Sequence, residues 1–335
     1  MHKEGNYKKL FESFDDLNVL IIGDVMVDSY LWGRVERVSP EAPIPIVALR
    51  KRENRMGGAA NVAMNIKSMG ANPILCSVIG TDDKGDQFID LLRKERITDD
   101  GIVRSGRRIT TTKFRIFGNA YQMLRVDEEM EEDLAAPDLQ TLLRVIEQIM
   151  SKVPIGCIIF QDYDKGVITP KLIEEVVNRA GIANIPVAVD PKRKNFMAYR
   201  NVTLFKPNLK EMKEGLHPES DLDDNQSVID AAHKLRELLD CKYVLTTMSE
   251  RGMMMCANTR NEESNFYIPA HMRLISDVSG AGDTVISVAS LCLAMNRSPH
   301  EIAYISNLAG GLVCEEVGVV PVNKEKLLKE LMGLL

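Results

Sequence analysis

Apolar and polar positions along this chain follow two periods in turn. Residues 18–24, NVLIIGD, form an almost unbroken apolar run, the pattern of a strand buried on both faces of a parallel sheet. Runs of the same kind recur at NPILCSVIGTD (72–82), GCIIFQD (156–162), IPVAVD (185–190) and NVTLFKPN (201–208). Between them lie segments of helical period. MGGAANVAMNIKSMG (56–70) predicts a glycine turn followed by a small-residue helix that stops at Gly70, and KGDQFIDLLRKE (84–95) predicts an amphipathic helix. Further helices are predicted around 138–151, at TPKLIEEVVNRAG (169–181), where Pro170 can start and Gly181 can stop the helix, and near 226–240. KYVLTTMSERGMMMC (242–256) reads as strand, turn, strand, and SDVSGAGDTVISVASLCLAM (276–295) as a glycine turn opening a helix. Alternation of this kind predicts an α/β fold with a mostly parallel sheet covered by helices on both faces.

Two stretches break the alternation. SYLWGRVERVSPEAPIPIVALR (29–50) mixes prolines with short alternating segments. RRITTTKFRIFGNAYQMLRVD (107–127) alternates strictly, with a turn at Gly118-Asn119, so that Thr111, Lys113 and Arg115 share one face and Thr112, Phe114 and Ile116 the other. Both are expected to form a small β-element inserted in the main body, a position often taken by a lid.

Length narrows the picture only to one large domain or two smaller ones, since the chain has 335 residues. A formal net charge of -6 argues against a nucleic-acid binder, whose surface carries a basic excess. No apolar run approaches the roughly 18 residues of a membrane span, and the N-terminal MHKEGNYKKLFESFDD lacks the apolar core of a secretory signal. Six scattered cysteines without a C-x-x-C pair read as buried thiols of a reducing cytoplasm, and neither they nor the five histidines have metal-ligand spacing.

Chemistry is expected beyond the carboxyl ends of the parallel strands. Polar residues follow those ends at Asp24, Asp28, Asp162, Asp190, Asn208 and Thr246. The sharpest local signal is SGAGD. Its glycines let the backbone approach a ligand, and the unsatisfied N–H groups of a helix start attract an anion. Asp283 in that first turn either caps the helix or removes a proton while phosphoryl charge develops beside it. GGAANVA (57–63) is a second glycine site, suited to a polyol or to close helix packing. Asn208 and Glu211 can either hold a magnesium-bound phosphate through water or form a capping box. Lys113 and Arg115, with Arg107, Arg108 and Arg125, make the basic patch best placed for a second phosphate, although edge strands also carry such cations to block aggregation. Lys165 and Lys192 follow strand ends as well. The P-loop, the dinucleotide fingerprint and the protein-kinase signatures are all missing.

Together these motifs resemble the ribokinase-like (PfkB) family of sugar kinases over essentially the whole chain. GGAANVA is similar to its N-terminal signature, DVSGAGDTV to its C-terminal one, NLKE to its Asn-x-x-Glu motif, and LTTMSERGM to the segment lining its nucleotide site. The resemblance implies one ribokinase-like domain over 1–335, a three-layer sandwich with β-lid segments at about 30–50 and 107–127. It implies Asp283 as the base and the N–H groups of Gly280, Ala281 and Gly282 as the anion hole. Asn208 and Glu211 would organise magnesium and phosphate, and Asp28, Gly57, Gly58 and Asn61 would bind the sugar. Thr246, Ser249, Gly252 and Asn307 would neighbour ATP, and Asp277 would mark a loop for a monovalent cation such as potassium. Ser279 stands where the family most often has threonine.

Within the family, VLIIGDVMVDSYLWGRVERVSPEAPIPIV, DYDKG and DPKRKNF resemble the kinases of D-glycero-β-D-manno-heptose 7-phosphate, which serve lipopolysaccharide core synthesis. That likeness implies transfer of the ATP γ-phosphoryl to O1, with Lys113, Arg115, Gln122, Arg125, Asp162 and Lys192 near the sugar phosphate. It also implies a cytoplasmic homodimer joined through the lid. Because the chain closes on KEKLLKELMGLL, adenylyl transfer is expected from a separate protein. The alternatives are a kinase for another sugar, such as a fructose phosphate, a non-catalytic sugar or nucleotide sensor, and, less favoured, a dehydrogenase.

Overall fold

The computed structural model describes residues 2–119, 121–218, 221–259, 262–271 and 275–333. In chain order the elements are α1 (His2–Glu12), β1 (Asn18–Gly23), β2 (Val25–Val38), β3 (Pro45–Gly58), α2 (Ala59–Ser68), β4 (Asn72–Gly80), α3 (Asp83–Lys94), β5 (Ile102–Ser105), β6 (Thr112–Gly118) and β7 (Tyr121–Glu128). There follow α4 (Ala136–Lys152), β8 (Ile155–Gln161), α5 (Pro170–Ala183), β9 (Val187–Asp190), β10 (Leu204–Phe205), α6 (Leu209–Leu216), α7 (Asn225–Leu239), β11 (Tyr243–Thr247), β12 (Met253–Thr259) and β13 (Glu262–Ile268). The chain ends in α8 (Ala281–Ala294), α9 (Pro299–Val313) and α10 (Lys324–Gly333).

Nine strands form one sheet in the order β13-β12-β11-β10-β9-β8-β1-β4-β5. From β5 to β11 all neighbours are parallel, and the antiparallel β12 and β13 complete one edge. Alternation along β1 shows why both faces need cover. Val19 and Ile21 enter a core shared with α2, α3, α8 and α9, whereas Leu20 and Ile22 enter a second core shared with α4, α5 and α7. Both sets are fully buried, which is why the segment reads as a continuous apolar run. The result is the α/β sandwich with helices on both faces expected from the pattern.

A second sheet, in the order β3-β2-β6-β7, stands on the first. Its β2–β3 hairpin is longer than the prolines suggested: both strands have 14 residues and pair from Val25↔Gly58 out to Val38↔Pro45. The breaks in local alternation are two register shifts, at Trp32/Gly33 and at Val35/Arg37, and they bend the ribbon without ending it. The inner ends of β2 and β3 are buried in the main body, so this sheet grows directly out of the core.

Candidate active site

Strand ends and two helix starts converge on Asp283. Gly280, with φ of 82°, occupies the left-handed region and is the N-cap residue of α8, so the chain turns sharply into that helix. Asp283 lies in its first turn and is 6% exposed. Its Oδ2 accepts from Asn61 Nδ2 at 2.6 Å, and its Oδ1 accepts from Gln161 Nε2 at 3.1 Å and from the Tyr163 hydroxyl at 2.8 Å. Asn61 comes from the first turn of α2, which opens at Gly58 with φ of 63°; a side chain there would run into the Asp24 carbonyl. Gln161 ends β8, and Tyr163 follows it. Burial pushes the Asp283 carboxyl up to about 6; the Asn61 and Tyr163 hydrogen bonds oppose the rise and the charge of Asp190 adds to it. A carboxylate with such a pKa is ionised at neutral pH yet basic enough to take a proton.

Beneath the turn lies a buried ion pair. Lys206 Nζ is 3.0 Å from Asp190 Oδ1, and both side chains are under a tenth exposed. A Cβ placed on Gly282 would lie 3.8 Å from that ammonium, so Lys206 adds positive charge directly below the helix start. Gln161 Nε2 also reaches Asp190 Oδ2 at 3.2 Å, joining the pair to Asp283. Within the turn itself, the Ala281 N–H makes one long bond of 3.3 Å to the Val278 carbonyl, while Gly282 lies where helix geometry supplies no acceptor for its N–H.

Asp24 has a different task from the one its strand-end position suggested. Its carboxylate accepts the backbone N–H groups of Tyr163, Lys165 and Val167 at 2.9, 3.1 and 3.0 Å and is 1% exposed. It anchors the 163–167 loop from inside, and burial together with the Asp162 charge pushes it up to about 6. Asp162 likewise turns away from Asp283. Its oxygens accept from the Tyr199 hydroxyl, Asn195 and the Asp164 N–H, so it orders the loops behind the cleft.

On the second sheet, strict alternation puts Asp28, Tyr30, Lys113 and Arg115 on one face: Asp28 lies opposite Lys113, and Tyr30 opposite Arg115. Arg115 pairs with Asp28, Arg125 meets Asp127 at 2.7 Å, and Lys113 lies 3.3 Å from Asp127 and 3.2 Å from Glu129. Lys113, Arg115 and Arg125 are therefore neutralised by carboxylates, and of the other two patch cations Arg107 pairs with Asp138 while Arg108 donates to the Glu132 and Lys165 carbonyls. Register also sets Arg115 directly opposite Arg125, an unfavourable pair that each resolves through its own carboxylate. Hydrogen bonds from Arg125 hold Asp127 down to about 2. Gln122 lies opposite Phe117 on exposed β7. A cavity of about 250 Å³ is bounded by Asp28, Tyr30, Arg55 and Asn61, and so connects this face to the Asp283 cluster. Gly57 stands beside it, close against the Asp28 carboxylate.

Asn208 and Glu211 form a complete capping box at the start of α6: Asn208 Oδ1 accepts from the Glu211 N–H at 2.8 Å, and Glu211 Oε2 from the Asn208 N–H at 2.9 Å. Structural and ligand roles need not exclude each other, because Glu211 Oε1 also holds Lys192, whose ammonium faces the Tyr163 ring at 5.7 Å. Burial pulls Lys192 down, but Asp190 and Glu211 outweigh it and raise the ammonium above its usual value. Thr246 is buried at the end of β11, and its hydroxyl has no hydrogen-bond partner among the described residues. Ser249 and Gly252, with φ of 51° and 88°, bracket the tight turn into β12. Asn307 of α9 donates to the Pro269 carbonyl at 2.9 Å. Asp277 accepts from the Ser279 and Gly318 N–H groups at 2.9 and 3.1 Å, and the first of these bonds leads in holding its carboxyl low.

Four residues of the site had no assigned role in the sequence reading: Tyr163, Gln161, Lys206 and Arg55. Gln161 carried a signal, a polar side chain closing an otherwise apolar buried strand. Lys206 carried a weaker one, a lysine lodged between Phe205 and Pro207. Tyr163 carried only its place in DYDKG, since its partner Asp283 lies 120 residues away, and Arg55, paired with Glu53 two residues before it, carried none.

A parallel sheet with a carboxylate in a glycine-opened helix start, a buried lysine beneath it and a lid beside it is the arrangement of a kinase acting on small hydroxyl compounds. A family model described as pfkB family carbohydrate kinase matches residues 16–326, and the chain belongs to that family. It is thereby an ATP-dependent sugar kinase. Over 319 residues it is 36% identical to the bifunctional protein HldE of Methylobacillus flagellatus, covering 95% of this chain and 64% of that protein. The chain thus spans just under two thirds of that relative's length. Its fold is similar to phosphofructokinase-2 from Escherichia coli in complex with potassium (TM-score 0.74, 18% identity, 94% of this chain and 99% of the other). It is also similar to ribokinase of Arabidopsis thaliana complexed with ribose and ATP (TM-score 0.71, 16% identity, 93% and 99%).

Proposed function

We propose that this kinase transfers the γ-phosphoryl of ATP to O1 of D-glycero-β-D-manno-heptose 7-phosphate, giving the 1,7-bisphosphate, in the route to ADP-heptose and the lipopolysaccharide core. The observation that carries the chemistry is Asp283: a buried carboxylate, raised to about 6, in the first turn of a helix. A carboxylate there repels the phosphate it lies beside, so its use is to remove the hydroxyl proton as the O–P bond forms. The Gly280–Gly282 turn and Lys206 offset the charge that develops on the transferred group. Asn61, Asp28, Gly57 and Gly58 hold the sugar hydroxyls.

The choice of acceptor is supported by the HldE likeness and by the lid. Arg115 opposite Arg125, with Lys113 alongside, is a set of donors that a phosphate dianion can bridge once it displaces the carboxylates of Asp28 and Asp127. A magnesium ion bound with the nucleotide would be held through water by Glu211, whose carboxylate Asn208 orients, and would supply charge neutralisation to the phosphates. Thr246, Ser249, Gly252 and Asn307 border the nucleotide, with the unpartnered Thr246 hydroxyl available to it. The Asp277 loop is the place for a potassium ion.

Exposed Tyr121, Met123, Leu124 and Val126 on β7 suit a homodimer joined through the lid. Among the described residues no helix is long and apolar enough to cross a membrane. Buried thiols, raised to about 12 by burial at Cys76, Cys157, Cys241 and Cys292, fit the cytoplasm.

A coupled ADP-release assay across heptose 7-phosphate, fructose 6-phosphate and unphosphorylated sugars tests the reading. The expected result is the highest kcat/KM for the heptose phosphate, at least ~100-fold above the unphosphorylated sugars, which lack the phosphate contact. Preference for fructose 6-phosphate would move the enzyme to the other sugar-phosphate acceptor, and preference for an unphosphorylated sugar would remove the phosphate role of the lid.

A further inference from the structure

We propose that Tyr163 is a positioning residue for the transfer base, and that it assigns the two oxygens of Asp283 different tasks, with Oδ2 taking the proton. The inference rests on the reading of Asp283 as the base and goes beyond it by naming the reacting atom and the side chain that selects it.

A carboxylate oxygen has two lone pairs. Oδ1 of Asp283 accepts two hydrogen bonds, from the Tyr163 hydroxyl at 2.8 Å and Gln161 Nε2 at 3.1 Å. Oδ2 accepts only one among the described residues, from Asn61 Nδ2 at 2.6 Å, so it keeps a lone pair to take a proton, and Asn61 itself borders the 250 Å³ cavity. During transfer the acceptor O–H bond breaks, its proton goes to Oδ2, and the oxygen's electron pair forms the bond to the γ-phosphorus. The bond from that phosphorus to the bridging oxygen breaks, and its electrons leave on ADP. Oδ1 accepts the same two donors before and after, so no neighbour has to turn during the step.

Tyr163 can hold this position because its backbone cannot move. The buried Asp24 carboxylate binds the N–H groups of Tyr163, Lys165 and Val167, closing the loop around a single anion. The Lys192 ammonium rests against the ring at 5.7 Å and is itself tied to Glu211. The groups facing Asp283 are therefore Asn61 from α2, Gln161 and Tyr163 from the end of β8, Asp190 from β9, Lys206 after β10, and Lys192. Of these, the Tyr163 hydroxyl is a neutral donor that stabilises the charged carboxylate without contributing to a core or to an ion pair.

The test is Tyr163→Phe, which keeps the ring that Lys192 faces. With ATP and heptose 7-phosphate, kcat/KM is measured from pH 5 to 9. Loss of one donor to the charged form moves the acid limb up by about one pH unit, so activity falls about tenfold at pH 5 and about fivefold at pH 6, and stays within about threefold of wild type at pH 9. The KM for ATP is unchanged. Replacing Tyr163 by 3-fluorotyrosine, a stronger donor of the same shape, moves the limb the other way. An equal loss at every pH with an unmoved limb overturns the proposal and leaves Tyr163 a packing residue, and so does a wild-type profile. Asp283→Asn run alongside separates the two readings. If that variant still turns over, the base assignment falls. If it is dead while Tyr163→Phe is unshifted, only the role of Tyr163 falls.

Discussion

The Asp283 cluster and the lid face both gather charge around the cleft, and they do so in opposite ways. Asp283 is held by three neutral donors, and its nearest charges, Lys206 and Asp190, are locked together out of water. On the lid, Lys113, Arg115 and Arg125 are each tied to a carboxylate, and those side chains are between 12% and 47% exposed. Partly exposed ion pairs contribute only about 0–1 kcal/mol each, so a phosphate that binds Arg through two hydrogen bonds can exchange with them at little cost. A buried carboxylate deprived of its donors loses far more, because nothing from solvent replaces them. Groups that do the chemistry are thus fixed before any ligand arrives, whereas groups that recognise the ligand hold stand-in anions until it comes.

The most severe way to break this contrast is Asp283→Asn. Loss of the base lowers kcat by about 10³–10⁴-fold, with ATP affinity by calorimetry within about threefold of wild type. Near-normal turnover would place the chemistry elsewhere. The second test is pH. Only ionised Asp283 can accept the proton, and its pKa lies near 6, so kcat/KM should fall about tenfold per unit below that value and level off above it. A limb near 4 would show that burial does not tune the base.

Recognition should respond differently. In Lys113→Ala combined with Arg115→Ala, the KM for a sugar phosphate is expected to rise about 10–100-fold, with the KM for ATP and the acid limb unmoved. Raising the salt concentration should weaken sugar-phosphate binding in wild type and have less effect in the double variant, since exposed charges are screened and buried ones are not. If neither KM changes, the lid cations serve only to protect an edge.

This contrast also explains which parts of the molecule were legible in sequence. The sheet strands were, because burial on both faces writes a continuous apolar run. The glycine turns were, because a helix start that needs φ of 82° at Gly280 admits little else. Asn208 and Glu211 stand three apart, and Lys113 and Arg115 two apart, so local periodicity placed both pairs. What could not be read was partnership across the fold. Asn61 and Asp283 are 222 residues apart, and Gln161 and Asp283 are 122 apart, so their contacts exist only once α2, β8 and α8 are packed. The neutral state of the lid patch was hidden for the same reason: the Asp28–Arg115 pair joins β2 to β6, 87 residues away. Helix α9 was hard to mark because it is buried on most sides and shows no polar stripe.

The smallest expected effect separates function from stability within the cluster itself. Asp283 has its folded-state pKa raised, so below the unfolded value near 3.8 it costs folding no more than a neutral side chain would, and stability is lost as pH rises through about 6. Ionisation at pH 8 therefore opposes folding by roughly 2–3 kcal/mol at most, from about two units of displacement. Asn at 283 removes the charge and can still be satisfied. Its oxygen can accept from Gln161 and Tyr163, and its amide can donate to Asn61 once the Asn61 amide turns over. The variant should therefore melt about 2–5 °C above wild type at pH 8, with the gap closing as pH falls through 6 and gone near 4. Calorimetric melting at three pH values reads this directly. A variant that melts below wild type at pH 8 would mean that the donors around Asp283 need its charge, and that the cluster is built for stability as much as for proton transfer.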